Sequence, residues 1–485
     1  MQDAMYWSEL LKTGKISFSE RLEMIEQTVA RQNPKLNALV HSNREAALNQ
    51  FQATDYQNRL FGGQPIPLKI LGQGKAGWPA TAGAKLFAKT TASQTSHFVS
   101  GLEQAGFVPF GQTNAPEFGF KNVTDPVLYG VTRNPWNAQF SAGGSSGGAA
   151  AAVASGMFPI AGASDGGGSI RIPASFTGLI GLKPTRGTMP VGPGEWRSWQ
   201  GASINFALTI SMRDTEHLFY ALRTSQPAAP YQAPQVEWTH QKASDKNPLK
   251  VAFSTQSPVG GRVSETAIQA VRKAAHFLAE QGHQVEEIDY PIDGQRMMQS
   301  YYAMNGGETA AMFAAIEAAG GKAAGMDEME LMTWGLYQYG RKLSAATYIE
   351  SLQYWDQIAE KMERFFAGFD LFLTPTTAYT APMIEMDLQS DGIRHGLRKI
   401  VDLSEGQAAD LIYEMFDQSY QLTPYTQLAN LTGQPAISLP TMVGEHGLPL
   451  GIQFMASKGR EDLLFQIGLL FEAKGQFQLP PQVAK

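Results

Sequence analysis

The sequence predicts an α/β layered fold, a mixed β-sheet core covered by helices on both faces. Three observations carry that expectation. Short apolar runs alternate with helical stretches from Phe61 to about Arg223. Gly-rich turns punctuate that alternation. Strand-like runs then return near the C-terminal end, so the chain is expected to come back to the same sheet.

The elements follow in order. Ser17 and Glu20 form an S-x-x-E capping box, and Leu22, Ile25 and Val29 recur at helical spacing. Pro34 is expected to end that helix. Residues 107–110 read as a short strand. The Ala-rich run 148–154 reads as a helix, with Gly156 suited to its C-terminal cap. Residues 157–163 read as the next strand. The stretch 224–249 is rich in Pro, Gln, Ala and Ser and reads as a surface connection. Beyond it come a strand at 251–253, an amphipathic helix at 265–281 and a mostly helical region at 295–366. Strands at 371–373, 436–439 and 451–455 and a helix at 461–472 complete the chain. A single domain over 1–485 is expected. It comprises an N-terminal helical region (1–60), a core (61–223), a variable, mostly helical pocket region (224–365) and a return to the core sheet (366–485).

Composition narrows the function classes. Hydrophobic residues at 43% against 17% charged suit a globular protein rather than a disordered one. A net charge of −6 offers no overall field for nucleic acid. The absence of cysteine excludes disulfides, thiol nucleophiles and thiolate metal sites. The opening MQDAMYWSELLKTGK lacks the basic-then-apolar pattern of a signal peptide, and no apolar run is long enough to span a bilayer. A cytoplasmic protein without nucleic-acid or membrane partners is therefore expected.

Two serines sit among glycines, in Gly143-Gly144-Ser145-Ser146-Gly147-Gly148 and in Asp165-Gly166-Gly167-Gly168-Ser169-Ile170-Arg171. Glycines let a substrate approach the backbone closely, and consecutive free N–H groups form a nest for an oxyanion. A serine hydroxyl needs a base. The eight histidines, at 41, 97, 217, 240, 276, 283, 395 and 446, all lie outside such settings. A lysine is the remaining candidate, because burial drives its pKa toward the working range. Lys69 lies in the apolar run Pro65-Ile66-Pro67-Leu68-Lys69-Ile70-Leu71. Lys75 and Lys85, its neighbours, lie in turn-like contexts that favour solvent. No H-E-x-x-H or comparable metal-ligand cluster occurs.

The stretch from Gly143 through Ser164-Asp165-Gly166-Gly167-Gly168-Ser169-Ile170-Arg171-Ile172-Pro173 to Gly181-Leu182-Lys183-Pro184-Thr185 resembles the amidase signature. Gly111-Gln112-Thr113-Asn114, Thr132-Arg133-Asn134-Pro135-Trp136, Asp370 to Thr377 and Asn430 to Gln453 extend the resemblance over nearly the whole chain. It is weakest from about 224 to 365. The resemblance implies Ser169 as nucleophile, Ser145 as a bridging serine after a cis peptide, and Lys69 as base. It implies the amides of Gly166, Gly167, Gly168 and Ser169 as oxyanion hole, with Ser146, Asp165 and Arg171 holding the loop. Hydrolysis of a small amide through an acyl-enzyme follows, with no cofactor and no metal. The chain departs from the family pattern at Ile70, where Asp is usual, and at Ser164 and Gly166. The wording around Ser169 is similar to that of hydrolases of the cyclic 6-aminohexanoate dimer. The rival implication is the amidase component of a glutamine-dependent tRNA amidotransferase complex. A homodimer is compatible with everything above. Trp196, Trp199, Tyr301, Tyr302, Met304 and Trp334, in the weakly matching 190–365 region, are the candidates for an apolar pocket, with core packing the leading reading for each alone.

Overall fold

The structure is a computed structural model that describes residues 2–234 and 248–483. Residues 235–247 of the expected connection at 224–249 lie outside them, His240 included.

Eleven strands are described: β1 (Leu39–Ser42), β2 (Gln64–Lys69), β3 (Phe107–Thr113), β4 (Ile160–Asp165), β5 (Ile180–Lys183), β6 (Ile204–Thr209), β7 (Lys250–Phe253), β8 (Gln284–Glu287), β9 (Leu371–Pro375), β10 (Ala436–Val443) and β11 (Pro449–Met455). Eight of them form one mixed sheet in the order β4-β6-β5-β10-β11-β9-β7-β8. The β7–β9 and β7–β8 pairs are parallel, and the others are antiparallel. The late strands β9, β10 and β11 lie inside this sheet.

The lysine run does not join that sheet. β2 pairs in parallel with β3, and β3 pairs antiparallel with β1, giving a separate three-stranded sheet. Every residue of β2 and β3 is buried, which accounts for their continuous rather than alternating apolar character. Side chains join the two sheets, Gln73 among them. Gln73 accepts from the Lys69 amide (2.8 Å) and donates to the Ala163 carbonyl of β4 (2.9 Å).

Local signals explain most element boundaries. The capping box at Ser17 is formed in both directions. Its helix, Phe18–Leu36, runs past Pro34 and stops at Asn37, whose φ of 51° is left-handed. Pro34 lies so near the end that its missing N–H costs one hydrogen bond without stopping the chain. The strand expected at 157–163 begins at Ile160 and reaches Asp165. Pro159 has no N–H for the ladder, and Met157 and Phe158 pack into a core cluster instead.

The helix Gly147–Ala154 has all eight residues buried. A Cβ on Gly148 would sit 2.3 Å from the Asn114 amide nitrogen, so only glycine lets this helix pack onto the end of β3. That close approach places Ser145, two residues before the helix, next to the end of β2.

Candidate active site

The site forms where the two sheets meet. Lys69, the last residue of β2, is fully buried and comes from the three-stranded sheet. Ser169 lies in the loop that leaves β4, the edge of the eight-stranded sheet. Ser145 stands between them, after a cis Gly144–Ser145 peptide.

Lys69 Nζ lies 2.7 Å from Ser145 Oγ and 2.9 Å from Ser164 Oγ. Burial pushes its pKa down to about 7, against the pull of the Asp165 carboxylate. Ile70, where the family has Asp, leaves this geometry intact. Its side chain is buried and its amide donates to the Thr113 carbonyl at 3.1 Å, continuing the β2–β3 pairing. The other lysines are placed differently. Lys75 is not simply solvated: it pairs with Glu103 at 2.6 Å on the partly buried surface. Lys85 is exposed. Lys183, which the sequence reading passes over, is also fully buried, and burial with the nearby Arg171 guanidinium holds its pKa well down. Its ammonium nitrogen, however, meets the Pro184 carbonyl and no serine. Contact with Ser145 distinguishes Lys69, not burial alone.

The loop that carries Ser169 is built on Asp165. Its carboxylate accepts from the amides of Gly168 (2.7 Å), Ile170 (3.2 Å) and Arg171 (3.4 Å). It also accepts a two-pronged contact from Arg171, at 2.9 and 2.8 Å, and Asn430 Nδ2 at 2.8 Å. Burial alone would raise this carboxyl. The Arg171 guanidinium and the Arg171 and Asn430 hydrogen bonds outweigh it and hold the pKa at about 2. Arg171 continues to the Thr426 carbonyl, Gln453 and Asn430. Ser146 closes the loop on the other side: its Oγ meets the Ser164 backbone, and its amide donates to the Ser169 carbonyl. Ser146, Asp165 and Arg171 thus hold this loop by hydrogen bonds.

The oxyanion donors need one correction. The Gly168 amide is committed to Asp165, which leaves Gly166, Gly167 and Ser169 as the loop amides with no acceptor among the described residues. Gly168 has another task. Its φ is +124°, and a Cβ there would sit 2.2 Å from Thr426 Oγ1, which donates to the Gly167 carbonyl at 2.7 Å.

A cavity of about 40 Å³ opens on Ser169. From the expected 190–365 region its lining takes only Tyr301 and Tyr302; the rest of the wall comes from 119–122, the signature loops and 416–427. Phe120, Asn122, Phe416 and Tyr420 are lining residues that the sequence reading missed, and Tyr302 stacks on Phe416 at 4.2 Å. Trp199 stacks on Phe120 just behind this wall. Met304 is fully buried core, Trp196 lines a different cavity, and Trp334 packs beside Tyr337. No histidine lines the Ser169 cavity. Ser164, Gln73 and Asn430 were also missed as site-builders. For Ser164 the signal was present, as a departure from the family wording at that position.

A family model described as Amidase matches residues 21–465. The chain belongs to the amidase family. It is a carbon–nitrogen hydrolase of that family, in agreement with the names of its relatives. It is 38% identical over 480 residues to a lipoamidase of Enterococcus faecalis, which covers 98% of this chain but only 64% of that protein's length. It is 33% identical to the 6-aminohexanoate-cyclic-dimer hydrolase of Paenarthrobacter ureafaciens, over 97% of this chain and 94% of that one. A solved structure of 6-aminohexanoate cyclic dimer hydrolase with substrate superposes with a TM-score of 0.89 at 31% identity, over 99% of both chains. A glutamyl-tRNA(Gln) amidotransferase chain from Thermotoga maritima, at 24% identity and a TM-score of 0.73 over 97% of this chain and 96% of that one, shares the amidase fold. No helix among the described residues of this amidase is long and apolar enough to cross a membrane.

Proposed function

We propose that this chain hydrolyses a small amide through a Ser169–Ser145–Lys69 relay and an acyl-enzyme. One observation carries the reading: a buried lysine with a pKa of about 7 lies 2.7 Å from Ser145 Oγ. Neutral Lys69 takes a proton from Ser145 as Ser145 takes one from Ser169. Ser169 Oγ attacks the amide carbonyl, and the oxyanion receives hydrogen bonds from loop amides of Gly166, Gly167 and Ser169. The relay then returns the proton to the leaving nitrogen as the carbon–nitrogen bond breaks. Water attacks the resulting ester by the same path and releases the carboxylate. No hydrogen bond joins Ser145 Oγ to Ser169 Oγ among the described residues, so the relay closes when substrate is bound.

The reading treats 1–485 as one amidase domain acting in the cytoplasm on a small-molecule amide, without nucleic acid, and is compatible with a homodimer. The names of the relatives, a lipoamidase and a hydrolase of a cyclic dimer of aminohexanoate, support an aliphatic or cyclic amide as substrate. The amidotransferase reading is supported by fold alone. The test is turnover of aliphatic, aryl, peptide and cyclic amides by the purified chain, with a fluorophosphonate as covalent trap. Amide hydrolysis by the chain alone and a label on Ser169 are expected. A label found only on other residues would remove the assignment.

A further inference from the structure

A second cavity, of about 200 Å³, lies beside the Ser169 cavity. The two share Lys121 and Ser419 in their linings. Their common wall is the segment after Gly119. Phe120 and Asn122 face the inner cavity, while Val123, Thr124 and Asp125 line the outer one. Thr124 ties this wall to the catalytic loop, donating to the Gly143 carbonyl at 2.9 Å and accepting from the Gly147 amide at 3.2 Å.

The outer chamber is chemically divided. Its neck is charged: Lys121 Nζ lies 3.1 Å from Asp125 and 2.5 Å from Glu330. Leu331, Met332, Ile384 and Leu388 give its body an apolar side, and the paired Asp387 and Arg394, with Gln389, complete the lining. At the rim, Met383 and Met386 are 48% and 52% exposed, among the few large apolar side chains that this protein leaves in solvent. Thioether side chains of this kind adapt to flexible apolar chains. The inner cavity, at about 40 Å³, has no room for more than the reacting group and its immediate neighbours.

We propose that the outer chamber is a subsite for an unbranched aliphatic chain attached to the scissile amide, entering over Met383 and Met386 and passing Lys121 to reach Ser169. This rests on the amide-hydrolase reading and names the substrate class: amides carrying a run of several methylenes rather than compact or aryl amides. Lys121 is held at the neck by the carboxylates of Asp125 and Glu330.

The test is binding rather than turnover, so that it stands apart from the relay. In Ser169→Ala, which cannot form the acyl-enzyme, affinities for butanamide, hexanamide and octanamide are measured by calorimetry. Each fully buried methylene is worth about fourfold in affinity before chain ordering is subtracted. Octanamide is therefore expected to bind at least tenfold more tightly than butanamide. Adding Ile384→Trp, which fills the chamber, should abolish that gain and leave butanamide affinity unchanged. Met386→Trp at the half-exposed rim serves the same purpose if the first variant does not fold. Equal affinity across the series, or a gain that survives in a folded variant, overturns the proposal. So does sedimentation showing a dimer that Met386→Glu disperses, because the rim is then a contact between copies. Failure of the wild-type chain to hydrolyse any simple amide refutes the relay and leaves this binding result to be judged by itself.

Discussion

At the scale of the residue, the site depends on what burial does to one amine. Lys69 has two hydroxyl neighbours and no carboxylate within salt-bridge reach among the described residues, so the more distant pull of Asp165 only partly offsets what burial does to its charge. Lys69→Ala is expected to lower kcat by about a hundredfold or more, in line with loss of a general base. Lys75→Ala and Lys85→Ala should keep most activity, since one pairs with Glu103 and the other is exposed. Steady-state kinetics on one responsive amide, with circular dichroism as a folding check, separates the three. Losses in Lys69, Ser145 and Ser169 variants should not add, because the three act as a unit. The pH dependence follows with its sign. A lysine with a pKa of about 7 is protonated below that value and cannot accept a proton. The rate, as kcat/KM, should rise with pH up to about 7 and level off above it. The same shift makes burial of Lys69 a cost to folding at neutral pH, because the unfolded chain binds that proton up to its ordinary pKa of 10.5. The cost fades as pH rises from about 7 toward 10.5. Ser164→Ala removes one of the two hydroxyls that hold Nζ. A fall in kcat of roughly tenfold with little change in KM is expected, the scale of one buried hydrogen bond. Unchanged kcat in a folded Ser164→Ala enzyme would show that Ser145 alone positions the amine.

At the scale of the element, the loop that carries Ser169 is held by groups far away in sequence. Asp165 ends β4, Arg171 begins the helix Arg171–Thr177, and Asn430 lies in the helix Gln427–Thr432. The Asp165–Arg171 pair is completely buried. Removing one partner strands the other charge away from water, which costs about 3–5 kcal/mol. Arg171→Met should therefore lower the stability of the whole protein by several kcal/mol, measured by denaturant unfolding. Asn430→Ala removes the bonds to Asp165 Oδ1, to the Asp165 and Ala202 carbonyls and from Arg171, but leaves the ion pair. It should cost less stability than Arg171→Met and still depress kcat, because the loop that presents Ser169 loses its brace. A stability loss with wild-type kcat would show that the loop is rigid without Asn430.

At the scale of the whole molecule, catalysis requires two sheets to be docked correctly. Lys69 and Ser169, the proposed base and nucleophile, come from different sheets, joined through Gln73, the Gly148 contact and Ser145. Gln73→Ala removes the bridge between the Lys69 amide and β4. The expected outcome is a folded enzyme with kcat lowered by about tenfold or more, the scale expected when a reacting group is misplaced. Circular dichroism close to wild type together with full activity would mean that the helix Gly147–Ala154 aligns the sheets unaided.

Local chemistry made much of this readable from sequence. The glycine–serine loops, the buried run around Lys69, the capping box at Ser17 and most strands each depend on residues within a few positions of one another. The resemblance across the signature then assigned roles to Ser169, Ser145 and Lys69, and the structure brings Lys69 and Ser145 into contact. Other features depend on distant partners, and no local pattern encodes those. The commitment of the Gly168 amide to Asp165 depends on how the loop closes. The cavity wall comes from 119–122 and 416–427, segments nearly three hundred residues apart that meet only when the chain is folded. β2 belongs to a second sheet because its edge matches β3 rather than β4, and an apolar strand reads the same whichever neighbour it takes. The sequence by itself determined which groups are available for chemistry. The tertiary structure decided which of them touch, since burial and contact are properties of the packed chain.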